Sequence, residues 1–298
     1  MARTISEKGK DTPLRPAAGG SSRRGARRRK WLRLRIARVW PGRRRRARWR
    51  LAFRRAPAGA QIAVGILVLA TLWAALNGIY QVTRKPTELF FPVSGALYKT
   101  PAETWDAYAP LFRRYATEVI GAELLAALAQ VEGSGNPVVR TYWRWSLKSN
   151  PFEVYRPASS AVGMYQITDG TFDQARRYCI HDHVVVEEGP WYDWHSCWFN
   201  KLYFRVIPSD AIELTAAFLD RAVSTTLARN RLYRATPAQK QRLAALVHLC
   251  GAEEGDRYAR DGFRFPSDRR CGDHDARDYV ARVVAMEGVF AALAARTE

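Results

Sequence analysis

From Ala56 to Thr83 the chain carries no charged side chain, and Ile62 to Tyr80 (IAVGILVLATLWAALNGIY) is almost continuously apolar. A helix that crosses a bilayer needs about 20 such residues. A buried helix of a soluble domain would interrupt so long a run with polar residues along one face. The stretch therefore predicts one transmembrane helix over residues 59–83 and divides the chain into an N-terminal and a C-terminal part.

Charge obeys the same division. The 298 residues hold 48 Lys and Arg against 28 Asp and Glu, a formal +20. Residues 1–60 hold 21 of the basic residues against two acids, Glu7 and Asp11, which leaves 27 against 26 for the rest. That near-neutral remainder excludes a fold whose whole surface is built for nucleic acid. Residues 1–58, with SSRRGARRRK and GRRRRARWR, are too dense in like charge and too poor in aliphatic side chains to form a core, and read as a disordered basic arm. The arm has no base-reading motif, so nucleic acid is not an expected partner. Anionic lipid, or a cytoplasmic or envelope-machinery partner, fits it better. Only Arg84 and Lys85 come directly after the apolar run. The positive-inside rule then predicts an uncleaved, single-pass signal anchor in an inner membrane, with the N-terminus cytoplasmic and the C-terminal domain periplasmic.

All four cysteines, Cys179, Cys197, Cys250 and Cys271, lie beyond the apolar run, where an oxidising compartment allows disulfides. Three pairings are open, and the two sequence-local ones, Cys179 with Cys197 and Cys250 with Cys271, are favoured. A metal site is the alternative, because His181, His183 and His195 crowd the first pair. There is no CxxC, however, and no metal or other cofactor is expected.

Residues 84–101 read as a linker and 102–298 as a mainly α domain. Residues 102–118 and 122–131 space their apolar side chains by three and four, and the last twenty or so residues do the same. Asp210 with Glu213, and Thr236 with Pro237 and Gln239, look like capped helix starts. No phosphate-binding glycine loop and no GxSxG elbow occurs. The most informative chemistry is at AALAQVEGSGNP, where an apolar helix runs into Glu132 and then into turn residues. A carboxylate at the exit of a buried helix is partly desolvated, the setting a general acid needs at neutral pH.

Glu132 is followed by SSAVGMYQIT at 159–168 and by RDYVARV near the end. In this combination the chain resembles the lysozyme-like lytic transglycosylases of the soluble-lytic-transglycosylase type, over about residues 105–292. Their pattern is a helix ending in Glu, a Ser/Gly/Asn-Pro turn, a loop like A-x-G-L-M-Q-I, a Tyr-Asn-x-Gly helix and a C-terminal helix with Tyr-Val. Glu132, Asn136 and Pro137 match the first elements, Ala161, Gly163, Met164, Gln166 and Ile167 the loop, and Tyr279 and Val280 the last. Gly133 stands where the family usually has Ser, with Ser134 next to it, and Tyr165 where it usually has Met. The interval between the first two motifs is lengthened by RTYWRWSLKSNPFEVYR, and His248-Leu249-Cys250-Gly251 occupies the Tyr-Asn-x-Gly position.

The resemblance implies a lysozyme-like helical domain that cleaves the MurNAc–GlcNAc bond of peptidoglycan glycan strands and leaves a 1,6-anhydro product. Glu132 is the implied acid and base. Ser134, Asn136, Gly163, Met164, Tyr165, Gln166, His248 and Tyr279 are the implied substrate-binding positions; His248 occupies the place of the family's tyrosine, and whether it takes over that hydroxyl's contact with the glutamate is left open by the sequence. Ordinary glycosidases need two carboxyl groups. Here one suffices, because the substrate's N-acetyl group assists and its C6 hydroxyl attacks. Tyr142, Trp143, Trp145 and Tyr155, and Trp191, Tyr192 and Trp194, are candidate sugar platforms. A hydrolytic muramidase using the same glutamate, and a non-catalytic peptidoglycan-binding assembly protein, are the alternatives.

Overall fold

The computed structural model describes residues 43–146, 150–193, 195–265 and 269–297. Most of the basic arm, and Trp194, lie outside the described residues. The chain divides into two compact units, residues 1–72 and 73–298, with the division inside a long helix.

In the first unit, α1 (Arg43–Arg55) exposes its arginines from Arg45 onward together with Trp49 and Phe53. The next helix, α2 (Ala58–Arg84), is long and apolar enough to cross a membrane, and its Ile62, Val64, Ile66, Leu67, Val68 and Leu69 are all exposed. A soluble protein would hide such a row in its core, so its exposure agrees with the sequence expectation.

The second unit is mainly helical. After α2 come two 3₁₀ turns flanking the short α3 (Phe91–Ser94). Next in chain order are α4 (Pro101–Tyr115), α5 (Ala122–Gly133), α6 (Asp169–Ala175), α7 (Pro208–Arg229), α8 (Pro237–Cys250), α9 (Ala252–Arg260) and α10 (Ala276–Thr297). Helix α5 is the central element. Leu124, Leu125 and Leu128 are fully buried, each worth roughly 1.5–3 kcal/mol. Helices α4, α7 and α10 pack around it.

Local chemistry explains the helix starts. Thr100 and Glu103 form a reciprocal capping box on α4, and Thr236 and Gln239 form another on α8, each with proline in the first turn. The expected start at Asp210 and Glu213 is corrected: α7 begins at Pro208 without a side-chain cap. Asp210 turns back to accept from the Phe204 N–H at 3.0 Å. Glu213 is buried, accepting from the Ile180 N–H at 3.0 Å and from the Tyr203 hydroxyl at 2.8 Å.

Among the described residues three antiparallel hairpins, β1–β2 (Trp143–Trp145 with Tyr155–Pro157), β3–β4 (Tyr178–His181 with Val184–Glu187) and β5–β6 (Arg270–Cys271 with His274–Asp275), lie between the helices. The cysteines pair locally, Cys179 with Cys197 and Cys250 with Cys271, at Cα separations of 5.2 and 5.4 Å. Cys179 and Cys197 thus bond to each other, which leaves no thiolate beside His181 for a metal.

Candidate active site

The last turn of α5 carries Glu132. Ser134 adopts the left-handed conformation (φ 48°), and its N–H reaches the Gln130 carbonyl at 2.9 Å while the Gly135 N–H reaches that of Ala129 at 3.1 Å. These bonds close the helix and satisfy carbonyls that would otherwise be orphaned. The Glu132 side chain is 18% exposed, enclosed on most sides yet reachable.

Two residues from distant parts of the chain meet it. Tyr279, fourth residue of α10, donates its hydroxyl to Glu132 Oε1. His248, in the last turn of α8, places Nε2 3.8 Å from the same oxygen, beyond ordinary hydrogen-bond reach. Burial holds the imidazole below the usual histidine range, against the opposing pull of Glu132 and a hydrogen bond with the Tyr165 backbone. His248 is therefore neutral at neutral pH. Burial, reinforced by the neighbouring Glu132, pushes the Tyr279 phenol well above its usual value, so it keeps its proton and acts only as donor toward the carboxylate. The hydroxyl that positions Glu132 thus comes from Tyr279, and His248 is a second neighbour rather than its replacement.

The 161–167 loop packs directly against the end of α5. A Cβ on Gly133 would stand 2.8 Å from Met164 Cα and 2.9 Å from the Met164 carbonyl oxygen, so no larger residue fits there unless the loop moves. Gly163 (φ 79°) is as tightly confined, since a Cβ would lie 2.3 Å from the Arg205 carbonyl oxygen. Mutual Val162 and Ile167 backbone bonds at 3.2 and 3.1 Å close the loop. Arg205 ties it from outside, donating to the carbonyls of Ser160 (3.1 Å) and Ile167 (2.8 Å). Lys85 ties it from the other side, donating to the carbonyls of Ser159 (3.2 Å) and Ala161 (2.9 Å).

Among the expected substrate contacts, the structure separates those that line a cleft from those that build it. Gln166 donates to the Gly163 carbonyl at 2.9 Å and, with Thr168, Thr171, His248 and Gly251, lines a cavity of about 250 Å³. Ser134 is half-buried at the helix cap. Asn136, Met164 and Tyr165 are enclosed. Asn136 donates to the Ser94 carbonyl (2.7 Å) and accepts from the Val138 N–H (2.9 Å), and Tyr165 donates to the Leu125 carbonyl (3.1 Å).

Several aromatics have work elsewhere. Trp143 donates Nε1 to Glu88 at 2.9 Å, and Trp145 lies 6.2 Å from Trp73 and 4.7 Å from Tyr155, ring centre to ring centre. Trp191 and Tyr192 are exposed inside the disulfide loop. A larger cavity, about 520 Å³, lies between α6 and residues 197–201. Its arginines are ion-paired, Arg176 to Asp173 and Arg177 to Glu187 and Glu188, and its Lys201 lies over the Trp198 ring at 5.9 Å. Sequence reasoning passed over Glu88, Lys85 and Arg205. Glu88 is buried, 2.9 Å from Arg140 and 3.5 Å from Lys85, so the expected linker is built into the floor of the domain. An acid between an apolar helix and a proline-rich turn gave no periodic signal.

No family model matches this chain, and no curated protein matches it either.

Proposed function

We propose that this protein is a membrane-anchored peptidoglycan lytic transglycosylase with Glu132 as its acid and base. The observation that carries the reading is the hydrogen bond from the Tyr279 hydroxyl to Glu132, made across 147 residues of sequence, with His248, which lines a cavity together with Gln166, 3.8 Å from the same carboxyl oxygen. A carboxyl with one oxygen fixed by a donor that cannot accept its proton presents the other oxygen to a ligand. Protonated Glu132 delivers its proton to the glycosidic oxygen as the N-acetyl group of the muramic acid assists departure of the leaving sugar. The resulting carboxylate then takes the proton of the C6 hydroxyl as that oxygen attacks C1, and the 1,6-anhydro ring closes. One carboxyl group serves both proton transfers, and the route uses no cofactor.

The apolar helix α2 and the basic residues before it support an inner-membrane anchor with the basic arm in the cytoplasm and the catalytic domain in the periplasm. The arm would meet anionic lipid or a cytoplasmic or envelope-machinery partner there.

The test is to incubate the full chain in detergent with purified sacculi and identify released muropeptides by mass. Products ending in an anhydro ring are expected, and Glu132→Gln should lower their release by the ~10²- to 10⁴-fold typical of general acid catalysis. Products with free reducing ends instead would reassign the enzyme as a hydrolytic muramidase. Unchanged release from Glu132→Gln would end the assignment at this residue.

A further inference from the structure

The second half of α2 is not bare. Trp73, Asn77, Gln81 and Lys85 recur every fourth residue and so form one stripe along the helix. Each donates to a backbone carbonyl of the 151–161 segment. Trp73 Nε1 reaches Pro151 at 3.0 Å, Asn77 Nδ2 reaches Tyr155 at 2.8 Å, Gln81 Nε2 reaches Phe152 at 2.6 Å, and Lys85 continues to Ser159 and Ala161. The Tyr80 and Phe152 rings pack at 5.4 Å beside this seam. Asn77 and Gln81 are buried beneath the hairpin, while Leu76 and Ile79 on another face of the same turns are exposed.

Length decides where this seam lies. Arg54 and Arg55 mark one edge of the apolar stretch, and about 20 residues of helix cover the hydrocarbon core. Counted from Ala58, that span ends at Asn77, beyond Trp73 where the hairpin contacts begin. The contacts with Pro151 and Tyr155 therefore start before the helix has left the bilayer. The hairpin presents Tyr142 and Trp145 to its surroundings, 66% and 68% exposed, and Arg84 stands beside it at the end of the helix. Tyr and Trp rings with an arginine are the side chains that settle at a headgroup layer.

We propose that the paired strands β1 and β2, with Tyr142 and Trp145, form a membrane-seating element that rests in the phospholipid headgroup layer at the Arg84 end of α2. The proposal rests on reading α2 as membrane-crossing and is independent of the reaction catalysed.

Its test uses the full chain in native membranes, with p-benzoylphenylalanine placed singly at Leu69, Trp145 or Tyr233, all exposed positions. After irradiation, phospholipid adducts are read by the mass of the purified protein. Adducts at Leu69 and Trp145 and none at Tyr233 are expected. Adducts at Leu69 without any at Trp145 would overturn the seating while leaving the anchor standing. No adduct at Leu69 would remove the anchor and the proposal together. Equal yields at Trp145 and Tyr233 would reduce the Trp145 signal to nonspecific capture and reject it.

Discussion

Replacing Tyr279 by Phe removes a single oxygen, the one that donates to Glu132 Oε1. The ring is 2% exposed and packed in the core, and phenylalanine fills the same space. A hydrogen bond to a charged group is worth about 1.5–3 kcal/mol. If that bond orients the carboxyl during both proton transfers, its loss lowers kcat by roughly 13- to 150-fold at ~1.36 kcal/mol per tenfold. KM should stay nearly constant, because the phenol touches the carboxylate from the core side. Initial rates of anhydro-muropeptide release over a range of sacculus concentrations separate the two constants. His248→Ala is the comparator. With Nε2 at 3.8 Å, outside hydrogen-bond reach, it should cost less than Tyr279→Phe. A folded Tyr279→Phe enzyme with full kcat, or a loss wholly in KM, would refute the positioning role. The reverse order of the two variants would transfer that role to the histidine.

Burial of His248 sets a pH dependence whose sign is fixed by linkage. Below the ordinary histidine value of 6.5 the unfolded chain takes a proton that the buried ring resists, so stability falls as the solution is acidified through that range. Melting temperature against pH should flatten there in His248→Gln, and an identical slope would reject the argument. Gly133→Ser drives a Cβ into the Met164 backbone and should cost ~1–3 kcal/mol by overpacking, read from the denaturation midpoint. An unshifted midpoint would show that the 161–167 loop gives way freely. Thiol labelling of the denatured, unreduced protein should find no free cysteine, and reduction should cost about 3 kcal/mol per loop. Four reactive thiols in the unreduced protein would contradict both pairings.

Much of the scaffold was legible because it depends on local rules. The apolar run of α2, the spacing in α4, α5 and α10, and the Thr236 cap each lie within a few turns of sequence. The local cysteine pairing reflects short separations. At the site, Glu132 was legible because a helix ending in a carboxylate and a turn is a contiguous pattern. Other features were not legible, for definite reasons. Asp210 and Glu213 have the spacing of a cap, yet Glu213 is drawn inward by Ile180 and Tyr203, contacts that exist only once the hairpins form. The stripe at Trp73, Asn77, Gln81 and Lys85 is thin in a sequence dominated by hydropathy, and its partners are backbone carbonyls with no side-chain signature. Conversely, Asn136, Met164 and Tyr165 looked like substrate contacts because motif position says nothing of which way a side chain faces.

The bond between Cys250 and Cys271 sits two residues past His248, at the point where α8 gives way to α9 through the single residue Gly251. Gly251, at a positive φ of 84°, closes α8 through its N–H to the Val247 carbonyl at 2.8 Å, and the disulfide adds a covalent tie to β5 at the same point. Reducing the bond would remove that tie and leave the last turn of α8, with His248, to its own hydrogen bonds and packing. A chain still on the reducing side of a membrane would lack this tie beside His248 until its cysteines met an oxidant.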